Sequence, residues 1–141
     1  MPRPDFSGTF TLNRVESEFA FLKPPKMRVD SIVHSDPQLA VTTLQIDTNG
    51  ANTTVRKFTT DQLPVTIDVL GKARQLKAHW EGIELIVETS WDHNGNPRVL
   101  TDRWVLSANG RQLVVTRHQE MNGGPVRQKF VLERENTPAS F

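Results

Sequence analysis

The chain has 141 residues and a near-balanced charge, 17 Lys and Arg against 16 Asp and Glu, for a formal net charge of +1. That length suits a single domain, 1–141, which can bury a core without staples and carries short loose tails at 1–5 and 135–141. The absence of Cys excludes disulfides and thiolate chemistry, and the small net charge argues against non-specific nucleic-acid binding. No apolar run reaches the roughly eighteen residues of a membrane-spanning helix.

The stretch Pro4–Phe19, PDFSGTFTLNRVESEF, predicts a short strand at Gly8–Leu12 and then a turn of helix. It is either an ordinary edge strand or a plug across the closed end of a barrel. Asn13 with Glu16 three residues on fits an N-cap with a reaching acid. Val15 and Phe19 share a helical face, and Pro24 and Pro25 end the segment, so one short helical turn fits between Asn13 and Lys26. Runs rich in Val, Ile, Thr, Leu and Trp then predict strands at Met27–Ser35, Leu39–Asp47, Thr53–Thr59, Val65–Val69, Ala73–Trp80, Glu84–Asp92, Arg98–Ser107, Gln112–Glu120 and Val126–Arg134. Turn signals separate them. Asn-Gly, the strongest short hairpin signal, occurs at Asn49, Asn94, Asn109 and Asn122. Tight connections make sequential strands antiparallel neighbours. Ten twisted strands do not stay flat, so the expected fold is all-β: one antiparallel up-and-down barrel with a short helical turn after the first strand.

Alternation along each strand sorts side chains into faces. Leu85, Val87, Thr89 and Trp91 share one face, as do Arg74, Leu76, Ala78 and Trp80. Leu100, Asp102, Trp104 and Leu106 go together, and so do Val126, Gln128, Phe130, Leu132 and Arg134. Taking the more apolar face as inward places all three Trp inside, with Arg74, Thr89, Asp102 and Gln128 beside them. In QLVVTRHQE, burying Leu113 and Val115 turns Arg117 inward and His118 outward. LAVTTLQID changes phase midway, which predicts a bulge near Thr42 or Thr43. His34, His79, His93 and His118 show no metal-ligand spacing, and no feature calls for a cofactor.

Phe6-Ser7-Gly8-Thr9-Phe10, followed by Leu12 and by Phe19 after a short turn, resembles the start of calycin barrels, the lipocalins and the lipid-binding proteins of fatty-acid-binding type. In those a Gly two residues before a Trp opens a first strand that crosses and closes one barrel end; here Phe10 stands at the Trp position. Ten strands with hairpins to the end resemble the fatty-acid-binding type in layout. The DFSGTF start is also similar to that of small bacterial lipocalin-like proteins. The resemblance implies a barrel with an apolar cavity. The family's carboxylate grip, inward Arg residues and a Tyr on the last strands, does not carry over complete, because the chain has no Tyr. Nor does a two-helix lid fit between Leu12 and Met27.

The expected function is therefore binding of a small hydrophobic or amphipathic molecule, an anionic one included, in the barrel lumen. Trp80, Trp91, Trp104, Leu76, Val87 and Phe130 would bury its apolar body, and Arg117 or Arg74 would fix a polar or anionic end. The alternatives are a small isomerase- or cyclase-type barrel enzyme with Asp102 as its acid–base residue, and a packed barrel whose outside binds another protein. The start MPRPDFSG has no signal-type apolar stretch. A cytoplasmic protein is expected, with an export signal already removed as the other case.

Overall fold

A computed structural model of the chain describes residues 3–121 and 124–135. All ten predicted runs are strands: β1 (Gly8–Leu12), β2 (Met27–Ser35), β3 (Gln38–Asp47), β4 (Gly50–Thr59), β5 (Val65–Val69), β6 (Lys72–Glu81), β7 (Glu84–His93), β8 (Asn96–Leu106), β9 (Gln112–Met121) and β10 (Gly124–Arg134). Several reach further into their turns than expected, because residues flanking tight hairpins still pair. At the β7–β8 turn Asn94 and Gly95 take φ of 53° and 85°, the positive values that a two-residue hairpin needs, and the Asp92 carboxylate accepts the Gly95 N–H at 3.1 Å. The turn expected at Asn122 lies mainly outside the described residues, as do positions 1–2 and 136–141 of the expected tails.

The strands form one sheet in the order β4-β3-β2-β1-β10-β9-β8-β7-β6-β5, with every pair antiparallel. β1 answers the question raised by the N-terminal stretch. It is no edge strand, since it pairs with β2 on one side and β10 on the other and so joins the two ends of the meander. The sheet curls until β4 and β5 lie side by side, but they share no ladder. The result is a nearly closed barrel. Among the described residues no helix is long and apolar enough to cross a membrane.

Two local expectations need correction. The helical turn after β1 is a single capped turn and not a helix. Asn13 Oδ1 accepts the N–H groups of Val15 and Glu16, each at 3.1 Å, and Ser17 N–H reaches Asn13 C=O at 3.2 Å. The turn cannot propagate, because Glu18 exchanges both backbone hydrogen bonds with Lys129 at 2.8 Å. The bulge expected near Thr42 or Thr43 is absent, and β3 runs in uninterrupted register against β2 and β4. The apparent phase change has a different cause. The inward face of β3 goes from apolar Leu39 and Val41, both buried, to polar Thr43, Gln45 and Asp47, which line a cavity.

The lumen thus divides into two halves. At the N-terminal end Phe6, Phe10, Leu76, Leu85, Val87, Leu113 and Leu132 are almost fully buried, with Trp104, Phe58, Leu39 and Val41 among them. Each such side chain contributes on the order of 1.5–3 kcal/mol by leaving water. Phe6 lies across this end, stacked on Trp80 at 5.8 Å and edge-on to Trp104 at 5.4 Å. The other half is polar.

Candidate functional site

β2 builds the polar half in a way that the apolar-face rule misses. In MRVDSIVHS the inward residues are Arg28, Asp30, Ile32 and His34, all buried, while Met27 and Val33 are exposed. β4 does likewise, aiming Asn52, Thr54 and Arg56 inward ahead of buried Phe58. With Arg74 from β6, Thr89 from β7, Leu100 and Asp102 from β8 and Arg117 from β9, these side chains surround a cavity of about 280 Å³. Ile67, Val69 and Leu70 supply an apolar wall on the β5 side.

Two ion pairs organise the charges. Arg28 donates to both carboxylate oxygens of Asp30 at 3.2 and 2.9 Å, and Arg117 grips Asp102 in the same way at 2.9 and 3.0 Å. Burial alone would raise the Asp30 carboxyl, but the Arg28 charge and its hydrogen bonds outweigh it and hold Asp30 below the ordinary carboxylate range. Both guanidiniums sit 5.1 Å from the Phe130 ring centre, and Phe19 meets the same ring edge-on at 5.9 Å. Phe130 is thus a floor between the apolar core and the two ion pairs.

Arg56 and Arg74 are different. Among the described residues neither forms an ion pair with a carboxylate. Burial, then the Arg117 charge, pushes the Arg74 guanidinium down from its usual value. Burial lowers Arg56 too; the Arg28 and Arg117 charges lower it further, and Asp30 and Asp102 partly offset them at longer range. Arg74 stacks on Trp91 at 4.1 Å. Among the described residues its buried Nε has no hydrogen-bond acceptor. Asp47, at the mouth, is engaged by Gln45 Nε2 at 3.1 Å.

Of the residues singled out from sequence, Arg74, Arg117 and Asp102 line this cavity. Trp91 backs it through Arg74. Trp104, Leu76, Val87 and Phe130 belong to the packed core, and Trp80 packs partly buried against it. Asp102 gives both carboxylate oxygens to Arg117. Arg28, Asp30 and Arg56 escaped the sequence reading. Strand alternation was the signal that could have found them: Arg28 and Asp30 are in phase with Ile32, and Arg56 with Phe58. Among the described residues no group of three His, Asp or Glu side chains is placed to hold a metal. A further groove of about 370 Å³, lined by Val33, Leu39, Phe58 and Val65 among others, lies beside the β4–β5 gap, but no charged groups converge on it as they do in the lumen.

No family model matches the chain, and no curated protein sequence does. Solved structures do. Zebrafish ileal bile acid-binding protein complexed with cholic acid superposes with a TM-score of 0.67 at 16% identity, covering 92% of this chain and 98% of that one. A secretory abundant heat soluble protein of Ramazzottius varieornatus gives 0.69 at 13% identity, covering 92% and 94%. A mutant of the fatty acid transporter REP1-NXSQ gives 0.61 at 12% identity, covering 92% and 97%. The shared feature is the fold, a ten-stranded antiparallel barrel.

Proposed function

We propose that this calycin-type barrel binds a small amphipathic anion in the polar half of its lumen. The carrying observation is the imbalance of luminal charge. Arg28 and Arg117 are neutralised by Asp30 and Asp102, whereas Arg56 and Arg74 face the same cavity without a carboxylate of their own. A guanidinium in a low-dielectric site favours an oxyanion, and its fork geometry suits a carboxylate, sulfonate or phosphate. Ile67, Val69, Leu70 and Leu100 offer an apolar surface for the rest of the molecule. A cavity of about 280 Å³ stands near the lower end of ordinary ligand pockets, which favours a compact ligand. Cholic acid in the zebrafish neighbour and the fatty acid transporter support this reading as proteins of the same fold.

The test is a calorimetric titration with matched pairs, for example an aromatic carboxylate and its neutral amide, against wild type and an Arg56→Gln, Arg74→Gln double variant. Charge-assisted hydrogen bonds contribute roughly 1.5–3 kcal/mol, so the acid is expected to lose about tenfold or more in affinity per Arg removed. The amide should bind weakly and respond little. Equal affinity for acid and amide in the wild-type protein would sink the proposal.

A further inference from the structure

The barrel end opposite the polar cavity is closed by the segment 3–7, and its seating depends on one imidazole. His34 projects inward from β2 with its side chain only 3% exposed. Its Nδ1 accepts the Phe6 backbone N–H at 3.0 Å. Its Nε2 stands 3.1 Å from Asp36 Oδ1. An N–H can only donate, so Nδ1 carries no proton and the ring is the neutral Nε2–H tautomer, donating to Asp36. Asp36 Oδ1 also takes the Thr60 hydroxyl at 2.9 Å and the Trp80 indole N–H at 3.2 Å. The Phe6 ring is fully buried and stacks on His34 at 5.7 Å. One imidazole therefore supports the plug residue through both its backbone and its ring.

We propose that residues 3–7 form an acid-released plug, in which protonation of His34 unseats Phe6 and opens the closed end of the barrel. A proton on Nδ1 would face the Phe6 N–H across 3.0 Å, turning a hydrogen bond into a contact between two donors. It would leave a buried backbone N–H unsatisfied, a costly state. An alternative acceptor is at hand. Asp5 Oδ1 lies 3.7 Å from Nδ1 but now caps the Ser7 N–H at 2.9 Å. Turning Asp5 to the imidazolium therefore breaks the local turn that carries Phe6. Charged groups of both signs face this site. Asp5 and Asp36 favour the imidazolium. Arg3, paired with Asp36 at 3.7 Å and lying over Trp80 at 5.4 Å, opposes it, as does Arg134 of β10, which donates to Ser7 C=O. What a proton on Nδ1 disrupts is the backbone bond that seats Phe6. This device is independent of what the polar cavity binds.

The test follows the Phe6 amide resonance, the His34 ring resonances and acrylamide quenching of Trp emission from pH 8 to pH 5, with far-UV circular dichroism in parallel. In wild type the Phe6 amide should shift with the same midpoint as the His34 ring, and quenching should rise reversibly, about twofold, with the strand signal intact. His34→Gln retains an acceptor for Phe6 N–H and a donor for Asp36 but cannot titrate, so its quenching should stay flat. Phe6→Ala should be quenched already at pH 8, with no pH step. If the Gln variant does not fold, the paired midpoints in wild type decide alone. A Phe6 amide that ignores His34 titration, or an equal step in His34→Gln, overturns the proposal.

Discussion

Gly8 shows how one side chain can exclude another. Its φ is +144°, and a Cβ there would lie 2.4 Å from Arg134 Nη1. That guanidinium is not free to retreat. It donates to Ser7 C=O and, at 2.8 Å, to Gly110 C=O, and it covers the Phe10 ring at 4.7 Å. Gly8→Ala is expected to cost about 1–3 kcal/mol from backbone strain and lost Arg134 contacts, read as a lower urea midpoint; an unchanged midpoint would refute the account. The Arg28–Asp30 pair makes a second prediction. Its side chains are only 9% and 4% exposed, so Asp30→Ala leaves a buried cation unpaired and should cost about 3–5 kcal/mol. Replacing both, as Arg28→Met with Asp30→Leu, should recover most of that stability. A double variant as unstable as the single one would show that the pair itself, and not the stranded charge, matters.

Among the elements, the five residues of β1 have a disproportionate role, because no other strand joins β2 to β10. β4 and β5 are the counterexample. They lie together without a ladder, and alternate backbone groups on their facing edges lack strand partners. Only the segment between them is anchored, through Thr60 N–H to Pro37 C=O and Gln62 N–H to Ala78 C=O, both at 2.8 Å. Amide hydrogen exchange should therefore be fastest along the facing edges of β4 and β5 and slowest in β7, β8 and β9, which are paired on both sides. Uniform protection across the gap would mean that the barrel closes fully in solution. Asn13 presents the same logic on a smaller scale. Asn13→Ala removes the acceptor for two N–H groups and should cost about 1 kcal/mol, measurable by denaturant unfolding.

For the molecule as a whole, the ion pairs set the response to acid. Asp30 is held below its ordinary value because Arg28 outweighs burial. Asp36 is lowered because hydrogen bonds from His34, Thr60 and Trp80 outweigh its burial, and Asp5 by the Ser7 N–H. A depressed carboxylate stabilises the folded state above its unfolded pKa and loses that contribution as pH falls through the folded one. Stability to urea should therefore drop below about pH 4, where unfolded Asp begins to take up protons. Most of the loss should come from buried Asp30, since Asp5 and Asp36 are more exposed and screened. A flat urea midpoint from pH 6 to pH 3 would contradict this. The proposed plug release differs from this loss in kind, since it would leave the strands in place, and far-UV circular dichroism separates the two.

Strand number, strand order and the inward turn of the three Trp, Arg74, Arg117 and Asp102 were legible in the sequence, because a two-residue period and Asn-Gly turns are local properties. The resemblance carried by Phe6, Gly8 and Phe10 pointed to the same barrel. Arg28, Asp30 and Arg56 were not legible as luminal residues. Choosing the more apolar face as inward assumes a uniformly apolar interior, and β2 exposes Met27 and Val33 while burying charge. That inversion is stable only because Arg28 finds Asp30 within β2 and Arg117 finds Asp102 across the β8–β9 ladder. Partners from separate strands, and the division of the lumen into a packed half under Phe6 and a charged half above Phe130, exist only once the sheet has closed. The sequence alone determined an up-and-down barrel with alternating faces; the tertiary structure decided which luminal charges cancel and that, among the described residues, Arg56 and Arg74 face the cavity without a carboxylate partner.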